Sequence, residues 1–457
     1  MEVNIKDIDV TRLRQSKQSK QSKQSKTLKI SKTENILESM DNIIDVAEEI
    51  RDRRDIENPE LLRSLRVVES FLRKNKRICY GGMAINAQLP KEKQFYDFTR
   101  ELPDYDFYTP TPNRDVRELI RMLKKEGFKD ISIRLATNPG TTKINVDFSP
   151  VADITYMPEW IFKELTNRAV VKDGIYYTDS DFLRLKMYLE LSRPLGEVDR
   201  WKKVYQRLDL LSKNQHVDMT NCKPLENQMT IPNNVHNTLL EYVMKHKLVF
   251  IGAEVEEIYK NPTVFHKGVI ESSVHPVMVL SQEPKQDAEN VKKSLQEFFP
   301  SKDLHILRLK QKGDFLPNIS GVVHGTTILF LAIETHICHS YNAVQYTSGS
   351  LYIGSLDTCI YIFYLLSYLH DLEGVLPYTF ECFAKRLVNI SHETRDKGKT
   401  GIFPLISITC SGHQPGIRSL LRHKLERVKA YKLAQKKRHL RRTMKNKKGK
   451  EKDKYKD

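Results

Sequence analysis

The chain has no long hydrophobic run. Its longest apolar stretch, residues 359–369, lies between Asp357 and Asp371 and is far shorter than the ~20 residues that a membrane-spanning helix needs. No apolar segment follows Met1, so the sequence gives no indication of a secretory signal peptide. We therefore expect no membrane partner.

Cysteine is also scarce. The six cysteines, at positions 79, 222, 338, 359, 382 and 410, show no paired spacing, which argues against a disulfide scaffold and favours a reducing, cytoplasmic compartment. His336, Cys338 and His339 could form half of a zinc site. Because no second Cys/His pair stands at ligand spacing, we expect the end of a strand there instead.

Acidic residues are few at both ends of the chain. The net charge is +17, and it comes from residues 11–26, with six Lys/Arg and no acid, and residues 422–457, with 17 Lys/Arg and four acids. The rest of the chain is therefore close to neutral. Basic tails on a neutral body suit a polyanion bound through its phosphates, or serve as solubilising or address segments.

The body of the chain has the composition of a folded protein, with 39% hydrophobic and 29% charged residues over 457 positions, enough for two or three domains. Four tandem Gln-Ser-Lys copies at 15–26 predict a disordered tail. From Asn58 onward, helical spacing alternates with short strands, and a helical, basic segment follows from Thr178. Helices after a sheet indicate an α+β fold with a mixed sheet.

An internal repeat divides the body. The string KNKRICYGGMAINAQL at 74–89 is similar to KHKLVFIGAEVEEIYK at 245–260, and the same order of helices and strands follows each. The sequence thus predicts two copies of one sheet-and-helix unit. In the second copy, Val277 and Val279 are expected to replace the acidic pair of the first, which leaves that copy unable to hold a metal.

The acidic pair is Asp104 and Asp106. Alternation along a strand places both on one face, where they can reach one or two divalent cations, although a bare Asp-x-Asp is also typical of an exposed strand edge. A third carboxylate, Asp147, lies on a later apolar strand, and Asp153 shares its parity. Gly81-Gly82 precedes the pair and would let a backbone approach a triphosphate. This combination predicts two-metal transfer of a nucleotide to a hydroxyl group.

The strings CYGGMAIN, LPDYDFYTP and VDFSPVADITYMP resemble the nucleotidyltransferase signature of the polymerase-β-like superfamily, in the form of the poly(A) polymerase catalytic subunits of asfarviruses and giant viruses. The resemblance covers about residues 60–215. It implies addition of AMP from ATP to RNA 3′ ends with two Mg²⁺ or Mn²⁺ ions, and a cytoplasmic, viral-factory or virion location. Where the superfamily often has Gly-Ser, this chain has Gly82.

The resemblance also implies an organisation and further ligands. We expect a tail at 1–30, a catalytic domain at 31–177, a helical connection at 178–230, a degenerate nucleotidyltransferase-like domain with C-terminal helices at 231–421 and a basic tail at 422–457. Lys186 and Lys203 are expected to contact the triphosphate by family analogy. The second domain would serve as a wall of an RNA cleft or as the interface of a homodimer.

Two choices remain at this point. Asp147 is favoured over Asp153 as the third metal ligand, because Pro150 lacks an N–H and should end the regular strand after Ser149. Asp153 would then be a buried structural acid. The alternatives in function are a uridylyl-adding, CCA-adding or oligoadenylate-type enzyme, or a non-catalytic RNA-binding scaffold of the same fold.

Overall fold

The computed structural model describes residues 56–453, except for 97–101, 223–230, 261–275, 313–314, 336, 347–348, 370–376, 397–402 and 405, and it also describes a few positions between 40 and 50. The low-complexity tail predicted at 1–30 lies outside the described residues, as does His336. Residues from Ile56 onward form one compact unit.

The first described long helix, α1 (Pro59–Asn75), follows from its sequence. The Asn58 side chain accepts hydrogen bonds from the backbone N–H groups of Glu60 and Leu61, at 3.1 and 3.2 Å, and Pro59 takes the first helical position. Both features are typical of helix starts. Leu65 and Phe71 lie on the buried face, so α1 packs its apolar stripe against the sheet that follows.

Seven strands form the first sheet: β1 (Ile78–Cys79), β2 (Tyr105–Thr109), β3 (Ile131–Leu135), β4 (Thr141–Val146), β5 (Ser149–Tyr156), β6 (Val170–Lys172) and β7 (Ile175–Tyr177). Their spatial order is β3-β4-β5-β2-β1-β7-β6. The pairs β2–β5 and β1–β7 are parallel, and the others are antiparallel. This is the mixed sheet that the sequence predicts.

The helices of this half are α2 (Gly81–Ala87), α3 (Pro112–Lys125), α4 (Glu159–Asn167), α5 (Ser180–Leu191) and α6 (Trp201–Asn214). The second half contains α7 (Asn233–Lys245), β8 (Val249–Phe250), α8 (Val255–Lys260), β9 (Val277–Ser281), α9 (Pro284–Ser294), β10 (Leu304–Leu309), β11 (Ile319–His324), β12 (Thr327–Glu334), β13 (His339–Tyr346), β14 (Gly349–Gly354), α10 (Leu356–Leu366), α11 (Pro377–Asp396), β15 (Cys410–Ser411) and α12 (Ile417–Asp453).

The second sheet repeats the topology of the first. Its order is β10-β11-β12-β9-β8-β14-β13-β15, which is the order of the first sheet with β15 added at one edge. The parallel pairs also correspond, because β9–β12 and β8–β14 are parallel. The predicted duplication of the sheet-and-helix unit is therefore confirmed.

The junction between strand and helix is copied in side-chain detail. In the first half, the Thr109 hydroxyl donates to Asp115 at 2.5 Å and accepts from the Thr111 backbone N–H at 3.0 Å. In the second half, Ser281 makes the same two bonds, to Asp287 at 2.5 Å and from the Glu283 N–H at 2.9 Å. Both halves thus use a strand-end hydroxyl and a buried helix aspartate to fix the turn.

The cysteines correct one expectation. Cys222 lies in a disulfide with Cys382, and Cys338 lies in one with Cys410, with Cα–Cα separations of 5.4 and 5.5 Å. The paired residues are 160 and 72 positions apart, so only the fold brings them together, and spacing along the chain could not reveal it. The argument for a reducing compartment assumed that the cysteines are unpaired, and this assumption was wrong for four of the six. Because Cys338 is bonded to Cys410, it is not a zinc ligand.

Among the described residues, no helix combines the length and the apolar character needed to cross a bilayer.

Candidate active site

Two parallel neighbouring strands bring three carboxylates together. Asp104 directly precedes β2, Asp106 lies within it, and Asp153 lies on β5 opposite Asp106 in the strand register. One oxygen of each carboxylate lies within 4.8 Å of an oxygen of the others. Asp153 is buried, and the other two are half-buried. The acidic face predicted for Asp104 and Asp106 is present, with Asp153 as its third member.

Burial and mutual repulsion make this cluster costly without a cation. Burial raises the pKa of Asp106 to about 8, and the charges of Asp104 and Asp153 add to the rise. Burial also raises the pKa of Asp153, although Lys143 acts in the opposite direction. A divalent cation offers these oxygens the opposite charge and the hard ligand partner that carboxylates prefer.

The donor set fits such an ion. The Lys143 ammonium donates to Oδ2 of Asp153, whereas Oδ1 of Asp153 is buried and has no hydrogen-bond partner. A buried unpaired carboxylate oxygen is rare unless it faces a ligand. Within the part of the chain that the structure describes, Asp104, Asp106 and Asp153 are therefore the residues that could hold a divalent metal ion.

Asp147, the favoured third ligand, is not part of the cluster. It lies in the tight turn between β4 and β5, where Asp147 and Phe148 have φ of 46° and 68°, and its side chain is exposed. The reason is local. Pro150 lies near the beginning of β5 and pairs with Asn145 across a register shift, so the proline begins a strand rather than ending one. The structure therefore places Asp153, and not the favoured Asp147, beside Asp104 and Asp106.

Gly81 lies against the acidic cluster. Its φ is +67°, and a Cβ built on it would come within 2.9 Å of Asp106 Oδ2. The backbone N–H of Tyr80 donates to the Asp106 carbonyl at 3.0 Å, which ties the turn to β2. Only glycine combines this backbone conformation with so close an approach. The Gly81-Gly82 turn predicted beside the carboxylates is present, while Gly82 contacts Tyr96 rather than the cluster.

The two lysines expected at the triphosphate lie on the helices after the sheet. Lys186 is half-buried on α5. Burial lowers the pKa of its ammonium group, and the nearby carboxylate of Glu190 only partly offsets this effect. Lys203 is exposed on α6. Arg184, two residues before Lys186 on the same helix, is buried and paired with Asp181 at 2.8 Å. The contacts of Lys186 and Lys203 with a nucleotide stay a prediction.

Two other cations, which the sequence did not single out, approach the carboxylates. Lys143 on β4 is opposite Asp153 in register, and Arg200 is in electrostatic contact with Asp106. Burial lowers the pKa of Arg200, but nearby carboxylates, Asp106 among them, raise it by more. The alternation of β4 against β5 could have indicated Lys143 once the turn at Asp147 was known.

The described residues of the second half hold no counterpart of the cluster. By strand register, Tyr108 of β2 corresponds to Leu280 of β9, since they face Ile78 and Val249 in the two copies. Asp106 therefore corresponds to Met278 and Asp104 to Pro276, one position earlier than the predicted Val279 and Val277. Asp153 corresponds to Leu331, which pairs with Met278 on one neighbour and Gly321 on the other. The expected loss of the acidic pair stands, with a corrected register, and the position of the third carboxylate is apolar as well.

A mixed sheet that places a Gly-Gly turn beside three aspartates of two parallel neighbours defines a nucleotidyltransferase fold. Residues 66–197 match the family model described as poly(A) polymerase catalytic subunit. This match contains the glycine turn and all three aspartates, and it confirms the resemblance to the poly(A) polymerase catalytic subunits of large DNA viruses.

Individual relatives carry the same description. A poly(A) polymerase catalytic subunit of Acanthamoeba polyphaga mimivirus is 31% identical over 159 residues, which cover 34% of this chain and 26% of the relative. That of African swine fever virus, Kenya isolate, is 30% identical over 170 residues, 36% of this chain and 35% of the relative. The matches thus span about a third or less of these relatives' length.

The crystal structure of the Megavirus polyadenylate synthase shares the fold over most of both chains. The TM-score is 0.69 at 19% identity, over 90% of this chain and 86% of the other. Unlike the sequence matches, this similarity includes the second half.

Proposed function

We propose that this protein is a template-independent poly(A) polymerase that adds AMP from ATP to RNA 3′ ends. The observation that carries the proposal is the cluster of Asp104, Asp106 and Asp153 beside Gly81, inside the segment that matches the poly(A) polymerase family. The relatives' names supply the choice of ATP and RNA as substrates.

The three aspartates have the role of holding two divalent ions, Mg²⁺ or Mn²⁺. When bound, such ions lower the pKa of an attacking hydroxyl and neutralise a pyrophosphate leaving group. Asp106 is central, because it faces both Asp104 along its own strand and Asp153 across the parallel pair. The Lys143 ammonium donates to Oδ2 of Asp153 and would hold that carboxylate in place, and Gly81 keeps the turn close to Asp106 without a side chain in between.

The basic C-terminal helix is proposed to supply RNA affinity. It contacts the same sheet as the acidic cluster, because the Arg427 guanidinium donates to the carbonyls of Ala136 and Thr137, at 3.1 and 2.7 Å, beside the β3–β4 turn. A phosphate chain bound along this helix would therefore start at the catalytic half. The halves 31–177 and 231–421 would act as a catalytic domain and a non-catalytic wall joined by 178–230.

Two further parts of the proposal concern the location of the protein in the cell and its oligomeric state. The protein would work in the cytoplasm of an infected cell, in a viral factory or a virion, and as a homodimer whose interface involves the second half. Light scattering of the purified chain tests the dimer directly.

The experiment that tests the function is extension of a labelled RNA primer by the full chain, with each of the four NTPs in turn and with Mg²⁺ or Mn²⁺. We expect ATP to give the longest products. Extension by UTP, or by CTP and ATP together to a fixed length, would assign another terminal transferase, and no extension with any NTP would leave the scaffold function.

The matched pair Asp153→Asn and Asp147→Asn assigns the third ligand. Asp153→Asn should lower turnover at least 100-fold, because it removes a metal-binding charge, while Asp147→Asn in the exposed turn should keep nearly all of it. If Asp147→Asn were inactive and Asp153→Asn active, the assignment of the cluster would be wrong.

A further inference from the structure

The second glycine of the turn is covered by a tyrosine. A Cβ built on Gly82 would lie 2.6 Å from Cε2 of Tyr96 and 2.8 Å from its hydroxyl oxygen. Any side chain at position 82 would therefore collide with this ring. Gly82 has no positive φ that would itself require glycine, so the steric demand at this position comes from the Tyr96 ring.

Tyr96 is held in this place by the helix that the turn begins. The Asn86 side chain of α2 accepts hydrogen bonds from the backbone N–H groups of Phe95 and Tyr96, at 2.8 and 3.0 Å, and donates to the Tyr96 carbonyl at 3.0 Å. Three bonds from one buried side chain fix the backbone of residues 95–96 against α2. The ring position is thus built into the fold before any substrate binds.

An arginine fixes the hydroxyl end of the ring. Nη2 of Arg207 on α6 donates to the Tyr96 hydroxyl at 3.1 Å, and its guanidinium lies 4.9 Å from the centroid of the Phe95 ring. Arg200, which precedes α6 by one residue, is within electrostatic reach of Asp106. The start of α6 therefore lies near the acidic cluster.

We propose that the Tyr96 hydroxyl and the Arg207 guanidinium together bind the triphosphate of the incoming nucleotide, in place of a side-chain hydroxyl at position 82. The hydroxyl oxygen lies 2.8 Å from the position that a Cβ of residue 82 would take, and the neighbouring Gly81 lies against Asp106. A triphosphate whose metal-bound end is at the cluster would pass this dipeptide.

The chemistry of the pair suits a phosphate. A guanidinium presents several N–H donors in a plane that matches phosphate oxygens, and its charge is permanent. Packing alone would be satisfied by phenylalanine, since the ring covers Gly82 without its hydroxyl. The inference rests on the proposed nucleotidyl transfer and names two further binding residues for it.

The test is binding of MgATP, and separately of inorganic triphosphate with Mg²⁺, to the full chain without RNA. We expect Tyr96→Phe and Arg207→Gln each to raise Kd for both probes roughly tenfold, the loss typical of one hydrogen bond to a charged group. The control Tyr352→Phe, in the second half where the Tyr352 ring packs against Tyr341, should change neither Kd.

Steady-state kinetics give a second readout. Tyr96→Phe should raise KM for ATP with a smaller change in kcat, and the melting temperature should stay near that of the wild type. An unchanged Kd and KM in Tyr96→Phe would show that the tyrosine only packs against Gly82, and the inference would be overturned.

An exchange of side chains tests the replacement itself. Tyr96→Ala should weaken MgATP binding, and adding Gly82→Ser to it should restore part of the affinity, because the serine hydroxyl then has room. A double variant no better than Tyr96→Ala would count against the replacement. If the wild type binds MgATP through this pair but extends no RNA, the proposed function fails while this inference stands; a wild type that binds neither probe overturns both.

Discussion

Asp106 is the residue at which burial and charge conflict most strongly. It is half-buried, it faces two other carboxylates, and its pKa rises to about 8 as a result. At neutral pH the metal-free carboxyl is therefore mostly protonated, and a divalent cation must displace that proton to bind. Metal binding and proton release are coupled at this side chain.

The first prediction concerns pH and stability. The folded-state pKa of Asp106 is above its ordinary value of 3.8, so the metal-free protein should lose stability as pH rises from about 4 to about 8. The Asp106→Asn side chain cannot ionise. At pH 8 without divalent ions, this variant should therefore have a free energy of unfolding up to a few kcal/mol larger than that of the wild type, and a higher melting temperature. Thermal melts across this pH range in chelator measure the difference.

Mg²⁺ and a matched variant provide the controls. Mg²⁺ should raise the melting temperature of the wild type at pH 8 and have little effect on Asp106→Asn. Asp147→Asn, in the exposed turn, should follow the wild type. A wild type whose metal-free stability is flat between pH 4 and 8 would contradict the assigned environment of Asp106.

Among the elements, the β1–α2 turn is the one whose backbone conformation directly affects the acidic cluster. Gly81 has a left-handed conformation and leaves no room for a Cβ beside Asp106, whereas Gly127, after α3, has φ of +94° and no neighbour within 4 Å of its Cβ position. The two glycines share the backbone requirement, but only Gly81 adds a steric one.

Alanine substitutions should separate these two requirements. Gly81→Ala and Gly127→Ala should each cost about 1–2 kcal/mol of folding free energy because of the positive φ. Gly81→Ala alone should also displace the Asp106 carboxylate and lower turnover at least tenfold, which primer extension would measure. Comparable activity losses in both variants would mean that backbone strain, not contact with Asp106, limits catalysis.

The elements also show what the sequence could predict. Helical spacing after Asn58, the Gly81-Gly82 turn and the similarity of 74–89 to 245–260 were enough to predict the α+β class and the duplicated sheet. The turn at Asp147 and Phe148 carries no glycine, so an apparent single strand hid two strands, and it is Asp153 rather than Asp147 that lies beside Asp104 and Asp106. A one-residue change of this kind reverses which side chains share a face.

Contacts between distant segments were beyond sequence reasoning. The Cys222–Cys382 disulfide, the Asn86–Tyr96 bonds and the Lys143–Asp153 ion pair depend on folded geometry, and no spacing rule connects them. The register of β9 was missed by one position because similarity between the copies is weak there. The local patterns thus predicted the elements, while the partners of the site depended on tertiary structure.

At the scale of the whole molecule, most of the excess positive charge lies in a different segment of the chain from the three clustered aspartates. Residues 422–457 carry 17 Lys/Arg against four acids. Most of these basic residues lie on α12, which contacts the first sheet through Arg427. The acidic cluster lies in that same sheet. A polyanion held on the helix could reach the cluster without a base-specific contact.

The last prediction uses truncation before Arg422 to test whether the basic C-terminal segment supplies RNA affinity. Each lost phosphate contact should reduce the slope of log affinity against log salt by about 0.7 for single-stranded RNA. The truncated protein should therefore bind RNA more weakly at low salt, with a flatter slope, while single-AMP addition on saturating primer stays near the wild-type rate. Filter binding at several salt concentrations, with sequences of different base composition, measures the slope and the lack of base preference. Arg427→Gln is the control that removes the contact with Ala136 and Thr137 while leaving the other charges: it should keep most of the slope and shift the affinity only slightly. If the truncated and full-length proteins show equal salt slopes, the tail is an address or a solubilising segment, and RNA affinity belongs to the two sheets.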